Sequence, residues 1–212
     1  HIGGISGYKA AATSTSLTNS GNIEVNGAIN NFGHYGGISS WDSSAWTTVT
    51  NSGNIIVNGE CSKIIRFGGL VGHYKGTGMT DCSNSGDAKL NKRATSAQAV
   101  YMAGIAGHTE SALTMTNCTN SGTLTVGNIS NTNDGNNGRL YMAGLVSTFN
   151  AGTISHCQNL KSAKFTTAAN NFAYGFMIGG LIGYISPTTS IVDQVITLAD
   201  CENNADLDIK TN

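Results

Sequence analysis

Hydrophobic and polar positions along the chain follow a nine-residue pattern that recurs six times. In its clearest copy, Cys118 is followed two positions later by Asn120, then by a Ser-Gly pair, and then by alternating apolar and polar residues up to Val126. Alternation with a period of two predicts a strand with one buried and one exposed face, and Ser-Gly predicts a bend before that strand. The copies span residues 17–25, 49–57, 82–90, 118–126, 157–165 and 201–209.

A second marker, a glycine followed by Ile or Leu, recurs with the same drifting period. Successive glycines of this kind lie 32 to 40 residues apart, and successive asparagines of the first pattern lie 32 to 44 residues apart. Two independent markers with a shared period of this length indicate a repeat architecture. The marker glycines are Gly4, Gly37, Gly69, Gly104, Gly144 and Gly180, and the asparagines are Asn19, Asn51, Asn84, Asn120, Asn159 and Asn203.

Each repeat is predicted to contain three strands. The Gly-Gly-Ile/Leu segment is predicted as one strand, Thr-x-Cys-x-Asn as a second, and the alternating segment after Ser-Gly as a third. The pattern offers no second strand two to five residues away that could form a hairpin. It also contains no helical segment long enough for a crossover between parallel strands. The remaining way to bury the apolar faces is to stack each repeat on the next. We therefore expect an all-β parallel β-helix of about six coils, with one repeat of 32–44 residues per coil and residues 1–212 forming one domain.

Two connections between predicted strands are longer than the equivalent connections in the other repeats. Residues 127–138 are polar and rich in Gly and Asn, so we expect them to bulge from one corner of the solenoid. Residues 186–197 hold the only proline, Pro187, and the apolar pairs Ile191-Val192 and Val195-Ile196, which fit a short helix or strand.

Composition and charge narrow the class of partners. Charged residues make up 11% of the chain, against about 25% in typical globular domains, and the formal net charge is -1. Nucleic-acid binding would need clustered Lys and Arg, so it is not expected. No stretch reaches the roughly 20 apolar residues of a membrane-spanning helix, so this segment is not expected to insert into a membrane. The chain opens and closes next to repeat strands, and we expect it to be a fragment flanked by further domains.

The repeat resembles a known family. Gly-Gly-Leu-Val-Gly at 68–72 and Gly-Gly-Leu-Ile-Gly at 179–183, each followed by Cys-x-Asn, are similar to the GLUG-type repeats of bacterial surface and adhesin-like proteins, many of them from Bacteroides relatives. The sequence departs from that pattern at Ala103 and Ala143, which replace the first glycine of the pair. The resemblance implies an extracellular, cell-surface or secreted location, and a spacer or adhesive role toward a host or neighbour-cell surface protein. It implies no catalytic residues.

Four cysteines occupy one repeat position, which Leu17 and Val49 fill in the first two repeats. Interchange with Leu and Val predicts a buried column of thiols, because unpaired cysteine is among the most buried residue types. A metal site would need closely spaced pairs such as Cys-x2-Cys, so no metal and no cofactor are predicted. Coils about 4.8 Å apart leave a disulfide between stacked thiols as an open alternative. The column consists of Cys82, Cys118, Cys157 and Cys201.

The six marker asparagines have two interpretations. They are predicted to form a structural ladder, in which stacked side-chain amides hydrogen-bond from coil to coil. Because Asn also tolerates left-handed backbone, we expect this ladder at a sharp corner. The alternative is an array of ligand-binding amides.

Aromatic and histidine side chains recur at two positions and supply the candidate ligand-binding residues. Residues four after the marker glycine include Tyr8, Trp41, His73, His108 and Tyr184, and residues three before it include His1, His34, Tyr101 and Tyr141. A column of flat rings on a solenoid face is suited to contacts with sugars, so glycans are the predicted ligands of the first set. The competing interpretation, which is favoured, is that the rings cover strand ends and are half-buried against the next coil.

Catalysis is not predicted. Carboxylates fall at different repeat positions, and nucleophile elbows, His-Glu-x-x-His motifs and phosphate-binding loops are missing from the sequence. The first function hypothesis is a non-catalytic extracellular repeat domain that acts as a structural stalk or adhesin segment. The alternatives are a carbohydrate-binding module that uses the rings, a carbohydrate-active β-helix enzyme and a phage-type fibre.

Overall fold

The computed structural model describes residues 1–10, 12–61, 63–91, 99–127, 139–160, 164–167, 175–185 and 195–209, and within them the regular structure is entirely β. Residues 128–138 and 186–194, which hold most of the two longer connections predicted above, lie outside this set. So do Ile191 and Val192, whereas Ile196 begins a strand.

Twenty-eight short strands make up the described chain. The first two repeats contribute β1 (Ile2–Gly3), β2 (Thr13–Thr15), β3 (Thr18–Asn19), β4 (Ile23–Val25), β5 (Gly33–Gly36), β6 (Ser39–Asp42), β7 (Ala45–Thr47), β8 (Thr50–Asn51) and β9 (Ile55–Val57). The third and fourth contribute β10 (Ile65–Gly68), β11 (Val71–Tyr74), β12 (Gly78–Thr80), β13 (Ser83–Asn84), β14 (Ala88–Leu90), β15 (Val100–Ala103), β16 (Leu113–Thr116), β17 (Thr119–Asn120) and β18 (Leu124–Val126). The last two contribute β19 (Leu140–Ala143), β20 (Val146–Phe149), β21 (Gly152–Ser155), β22 (Gln158–Asn159), β23 (Lys164–Thr167), β24 (Phe176–Gly179), β25 (Ile182–Ile185), β26 (Ile196–Ala199), β27 (Glu202–Asn203) and β28 (Asp206–Ile209).

Strands at the same repeat position pair in parallel, which confirms the predicted β-solenoid. Four sheets have six strands each, one from every repeat: sheet I (β1, β5, β10, β15, β19, β24), sheet III (β2, β7, β12, β16, β21, β26), sheet IV (β3, β8, β13, β17, β22, β27) and sheet V (β4, β9, β14, β18, β23, β28). Sheet II consists of the pairs β6–β11 and β20–β25, joined by the isolated bridges of Ala106 to Val71 and to Val146.

The number of regular coils is smaller than predicted. Four repeats contribute a strand to all five sheets, whereas the first and fourth have isolated bridges in place of a strand in sheet II. About four coils are thus regular, against the six expected from the repeat count. The repeat markers count copies of the sequence, but they do not show whether each segment is extended enough to form a full strand.

Two predicted strands are in fact interrupted by bends. Strands of sheet I end one residue before the marker glycine, so Gly-Gly-Ile/Leu is a bend between sheets I and II and not a strand. A Cβ placed on Gly104 would overlap the side chain of Asn120 and the carbonyl oxygen of Gly144. The marker glycine is needed because the backbone of the next coil and an asparagine side chain pack directly against it.

The Thr-x-Cys-x-Asn segment is also split, between sheets III and IV. The residue before the cysteine position has a left-handed backbone, with φ between 52° and 55° in all six repeats. The left-handed corner is therefore three residues before the marker asparagine, and not at the asparagine as predicted. The six left-handed residues are Ser16, Thr48, Asp81, Asn117, His156 and Asp200.

The apolar side chains form two parallel core clusters. One lies between sheets I and V and includes Tyr35, Phe67 and Leu124. The other includes Trp46, Met79 and the cysteine column. Cys82, Cys118 and Cys157 are fully buried with free thiols, and Cys201 is partly exposed. Hydrogen bonds with Cys157 and Cys82 and burial raise the pKa of the Cys118 thiol.

A continuous ladder of amides runs beside the marker glycines. Each marker asparagine donates from Nδ2 to Oδ1 of the next, at distances of 2.8 to 3.0 Å, from Asn19 through to Asn203. The four inner members are at most 2% exposed. Most of the Nδ2 groups also donate to a glycine carbonyl two residues later, which ties each amide to its own turn.

Candidate ligand-binding groove

The two ring-bearing columns lie on the outer surface, on either side of the bend between sheets I and II. We call the surface between them the ring groove. Its sheet I side carries His1, His34, Arg66, Tyr101, Tyr141 and Met177, and its sheet II side carries Tyr8, Trp41, His73, His108, Thr148 and Tyr184. The parallel register places members of each column on neighbouring coils, for example Tyr101 beside Tyr141 and Trp41 beside His73.

Ring contacts cross the groove from one column to the other. In the N-terminal half, His34 and His73 meet edge to face with centroids 5.2 Å apart. In the C-terminal half, Tyr101 and His108 lie 4.8 Å apart and Tyr141 and Tyr184 lie 5.6 Å apart. The two columns therefore form one surface and not two separate strips.

Stacking along the solenoid axis occupies many of the ring faces. Tyr8 stacks on Trp41 with centroids 4.3 Å apart and planes 9° apart, and Tyr101 stacks on Tyr141 at 4.8 Å and 5°. Tyr141 and Tyr184 are tilted by 47°, so they leave a wedge between them. A ligand is thus expected to meet ring edges and this wedge, and not an open ladder of ring faces.

Two clefts open from the ring groove. The first has a volume of about 440 Å³ and is lined by Tyr101, His108, Glu110, Tyr141, Thr148, Asn150 and Tyr184. The second has a volume of about 490 Å³ and is lined by His1, Tyr8, Phe32, His34, Trp41, Ile64, Arg66 and His73. Both volumes fall within the usual range for small-molecule sites.

The structure divides the five predicted ligand-binding residues between these clefts. His108 and Tyr184 line the first, and Tyr8, Trp41 and His73 line the second. Sequence reasoning did not identify Glu110, Thr148 or Asn150 as site residues. A signal for Glu110 was present, because it lies two residues after His108 and so on the same side of the extended chain.

Three histidines of the groove, His34, His73 and His108, are held in their neutral form. Burial, together with the nearby Arg66 guanidinium, lowers the pKa of His34 to about 4, that of His108 to about 3 and that of His73 to about 2. Arg66 Nη1 donates to His34 Nε2 at 2.9 Å, a hydrogen bond that only a neutral imidazole can accept.

Several buried polar atoms in the groove have no hydrogen-bond partner among the described residues. They are His34 Nδ1, Arg66 Nε and both ring nitrogens of His73. His73 Nε2 lies 2.8 Å from Glu110 Oε1, but the geometry of this approach does not make a hydrogen bond. Orphaned buried polar atoms are uncommon in folded proteins and point to a bound ion, water or ligand.

His73, His108 and Glu110 come together at the boundary between the two clefts. One ligand atom from each lies within 4.8 Å of the others. His108 Nδ1 is 2.7 Å from Thr148 Oγ1, and Glu110 Oε2 is 2.6 Å from Lys75 Nζ. The ring column predicted His73 beside His108, and the spacing of two placed Glu110 on the side of His108; the approach of all three within ligand distance depends on the stacking of two coils.

Comparison with known proteins gives no relative for this chain: no family model, curated protein or solved structure matches it. The likeness to GLUG-type repeats therefore stays a prediction. No helix long and apolar enough to cross a membrane occurs in the described part of the chain.

Proposed function

We propose that this chain is a non-catalytic recognition module of the stalk or adhesin type, and that the first cleft of its ring groove binds saccharides. One observation carries the proposal: the first cleft combines three tyrosines from consecutive coils with the hydrogen-bonding groups of Asn150, Thr148, Glu110 and His108. Sugars present apolar C–H faces and many hydroxyls, so a cleft with aromatic walls and convergent polar groups matches their chemistry.

The charge of the groove favours acidic saccharides. Arg66 lies on its sheet I side, Lys75 lies over the Trp41 ring, and Arg139 lies beside Tyr141. Glu110 is the one carboxylate among the described residues that line the two clefts. Because Lys75 pairs with Glu110, the charges of Arg66 and Arg139 are left to attract sugars that carry carboxylate or sulfate groups.

The single carboxylate in the described lining of the clefts supports a binding role over hydrolysis. Glycosidases act with a pair of carboxyl groups on either side of the scissile bond. The described lining of the clefts offers a single carboxyl group. An enzyme on this groove would need a second acid from elsewhere.

The stalk or adhesin part of the proposal is supported by the continuity of the structure along its axis. The amide ladder and the two core clusters run through successive coils, as expected of a stiff spacer. Location at a cell surface is proposed from the GLUG-like pattern, and host or neighbour-cell surface proteins are further proposed partners. Burial of Cys82, Cys118 and Cys157 is compatible with an oxidising environment, because buried thiols are protected from reaction.

The proposal is tested by screening the full chain against an array of neutral and acidic glycans, followed by calorimetric titration of the hits. Tyr184→Ala is expected to lower affinity at least ~10-fold, which corresponds to about 1.4 kcal/mol. Tyr8→Ala is the matched control, since Tyr8 is an exposed ring of the other cleft. Failure to bind any glycan, or equal affinity for wild type and Tyr184→Ala, would contradict the proposal.

A further inference from the structure

We propose that His73, His108 and Glu110 bind a divalent transition-metal ion of the zinc type, with one coordination position open toward the first cleft. Two imidazoles and one carboxylate are a set of ligands that zinc uses when it keeps a site for water or substrate. The three residues belong to the third and fourth repeats, which stack directly on one another. The proposal does not rest on saccharide binding, because the ion is recognised by these three side chains alone.

The spacing of the ligand atoms fits a single ion after a small adjustment. Zinc binds imidazole nitrogen and carboxylate oxygen at about 2.0 to 2.2 Å, so two ligands of one ion are at most about 4.4 Å apart. The three atoms here already lie within 4.8 Å of one another. His73 Nε2 and Glu110 Oε1, at 2.8 Å, need to move apart slightly.

Outer hydrogen bonds orient two of the three ligands. Thr148 Oγ1 holds Nδ1 of His108, which leaves Nε2 as the metal-binding nitrogen. Lys75 holds Oε2 of Glu110, which leaves Oε1 facing His73. Partners of this kind fix the tautomer and direction of metal ligands.

The third ligand, His73, supplies an independent argument. Its side chain is 5% exposed, and neither ring nitrogen has a hydrogen-bond partner among the described residues. A buried imidazole without partners loses the free energy of two hydrogen bonds to water. A metal ion on Nε2 compensates part of that loss.

The surrounding cations set a limit on affinity. Arg66 and Lys75 both lie near the three ligands and repel a metal ion. Glu110 offsets one of these charges. We therefore expect binding weaker than at a four-ligand structural zinc site.

The test uses the full chain, stripped of metal with a chelator and kept reduced, and titrates it with Zn²⁺ alone by calorimetry. Binding of one ion per chain is expected, with affinity lowered by more than ~100-fold in His108→Gln and Glu110→Gln. Removal of an outer partner by Thr148→Val is expected to lower affinity by ~10- to 100-fold. All proteins in the test carry His1→Gln, because the His1 ring lies 4.7 Å from the His34 ring, measured between centroids, and is a second potential chelator.

His156→Gln is the matched control, since His156 Nε2 lies 3.5 Å from Asp200 Oδ2 at an exposed site where the described residues offer no third ligand. It should bind Zn²⁺ as tightly as the parent. Thermal unfolding without metal verifies that each variant is folded, and the Co²⁺ absorption spectrum should lack thiolate charge-transfer bands. The proposal is overturned by any of three results: no saturable binding, unchanged affinity in both His108→Gln and Glu110→Gln, or a Co²⁺ spectrum that shows thiolate ligands.

Discussion

At the scale of single residues, the marker glycine and the marker asparagine depend on each other. The glycine leaves room for the amide, and the amide fills the space beside a bend that would otherwise contain a void. This explains why both recur in every repeat, although they lie 14 to 23 residues apart in sequence. A side chain at the glycine and an apolar side chain at the asparagine should therefore both destabilise the fold.

Gly104→Ala is expected to lower the free energy of unfolding by about 1 to 3 kcal/mol, because the added methyl group overlaps Asn120 and the Gly144 carbonyl oxygen. Guanidinium denaturation measures the change. Gly27→Ala is the control, since a Cβ at Gly27 meets nothing within 4 Å; it should be neutral or slightly stabilising. Equal stability of the two variants would show that the marker glycine is not closely packed.

At the scale of elements, the short strands are held together more by stacking between coils than by their own length. Strands of sheet IV have two residues each, too few to be stable alone. The amide ladder adds one side-chain hydrogen bond per coil to the backbone bonds there. Because the inner amides are buried, a break in this ladder leaves polar groups without partners.

Asn120→Leu is expected to lower the free energy of unfolding by about 2 to 5 kcal/mol, since a buried group that loses its partner costs about 1 to 3 kcal/mol. The groups affected are the Asn84 amide and the Asn159 carbonyl oxygen. Asn58→Leu is the control, because Asn58 belongs to a shorter amide ladder at the surface; its cost should stay below about 1 kcal/mol. Similar losses in both variants, measured by the same denaturation, would contradict a special role for the buried ladder.

The sequence predicted the solenoid because repeat spacing and alternation survive in every copy. It misplaced the bends at Gly-Gly and before the cysteine, since a glycine flanked by apolar residues fits a strand and a bend equally well. The choice is made by the contact between Gly104 and Asn120, which is not local in sequence. Likewise, the repeat spacing predicted the columns that contain Trp41 and Tyr101. It could not predict the clefts, because these depend on the angle between two sheets.

At the scale of the whole molecule, the solenoid is a regular spine with one chemically distinct face. Four of its five histidines and both stacked aromatic pairs lie in the ring groove. Aromatic rings, buried neutral imidazoles and orphaned polar atoms occur there together. A stalk needs none of these features, so their concentration on one face favours recognition.

The most direct test of the proposed saccharide site is nuclear magnetic resonance of the chain with labelled tyrosine rings, during titration with the acidic saccharide that binds best. Shifts are expected at Tyr101, Tyr141 and Tyr184, which line the first cleft. Little change is expected at Tyr8, in the second cleft, or at the buried Tyr35 and Tyr74. Binding that leaves the three cleft tyrosines unshifted would contradict the assignment of the ring groove as the saccharide site.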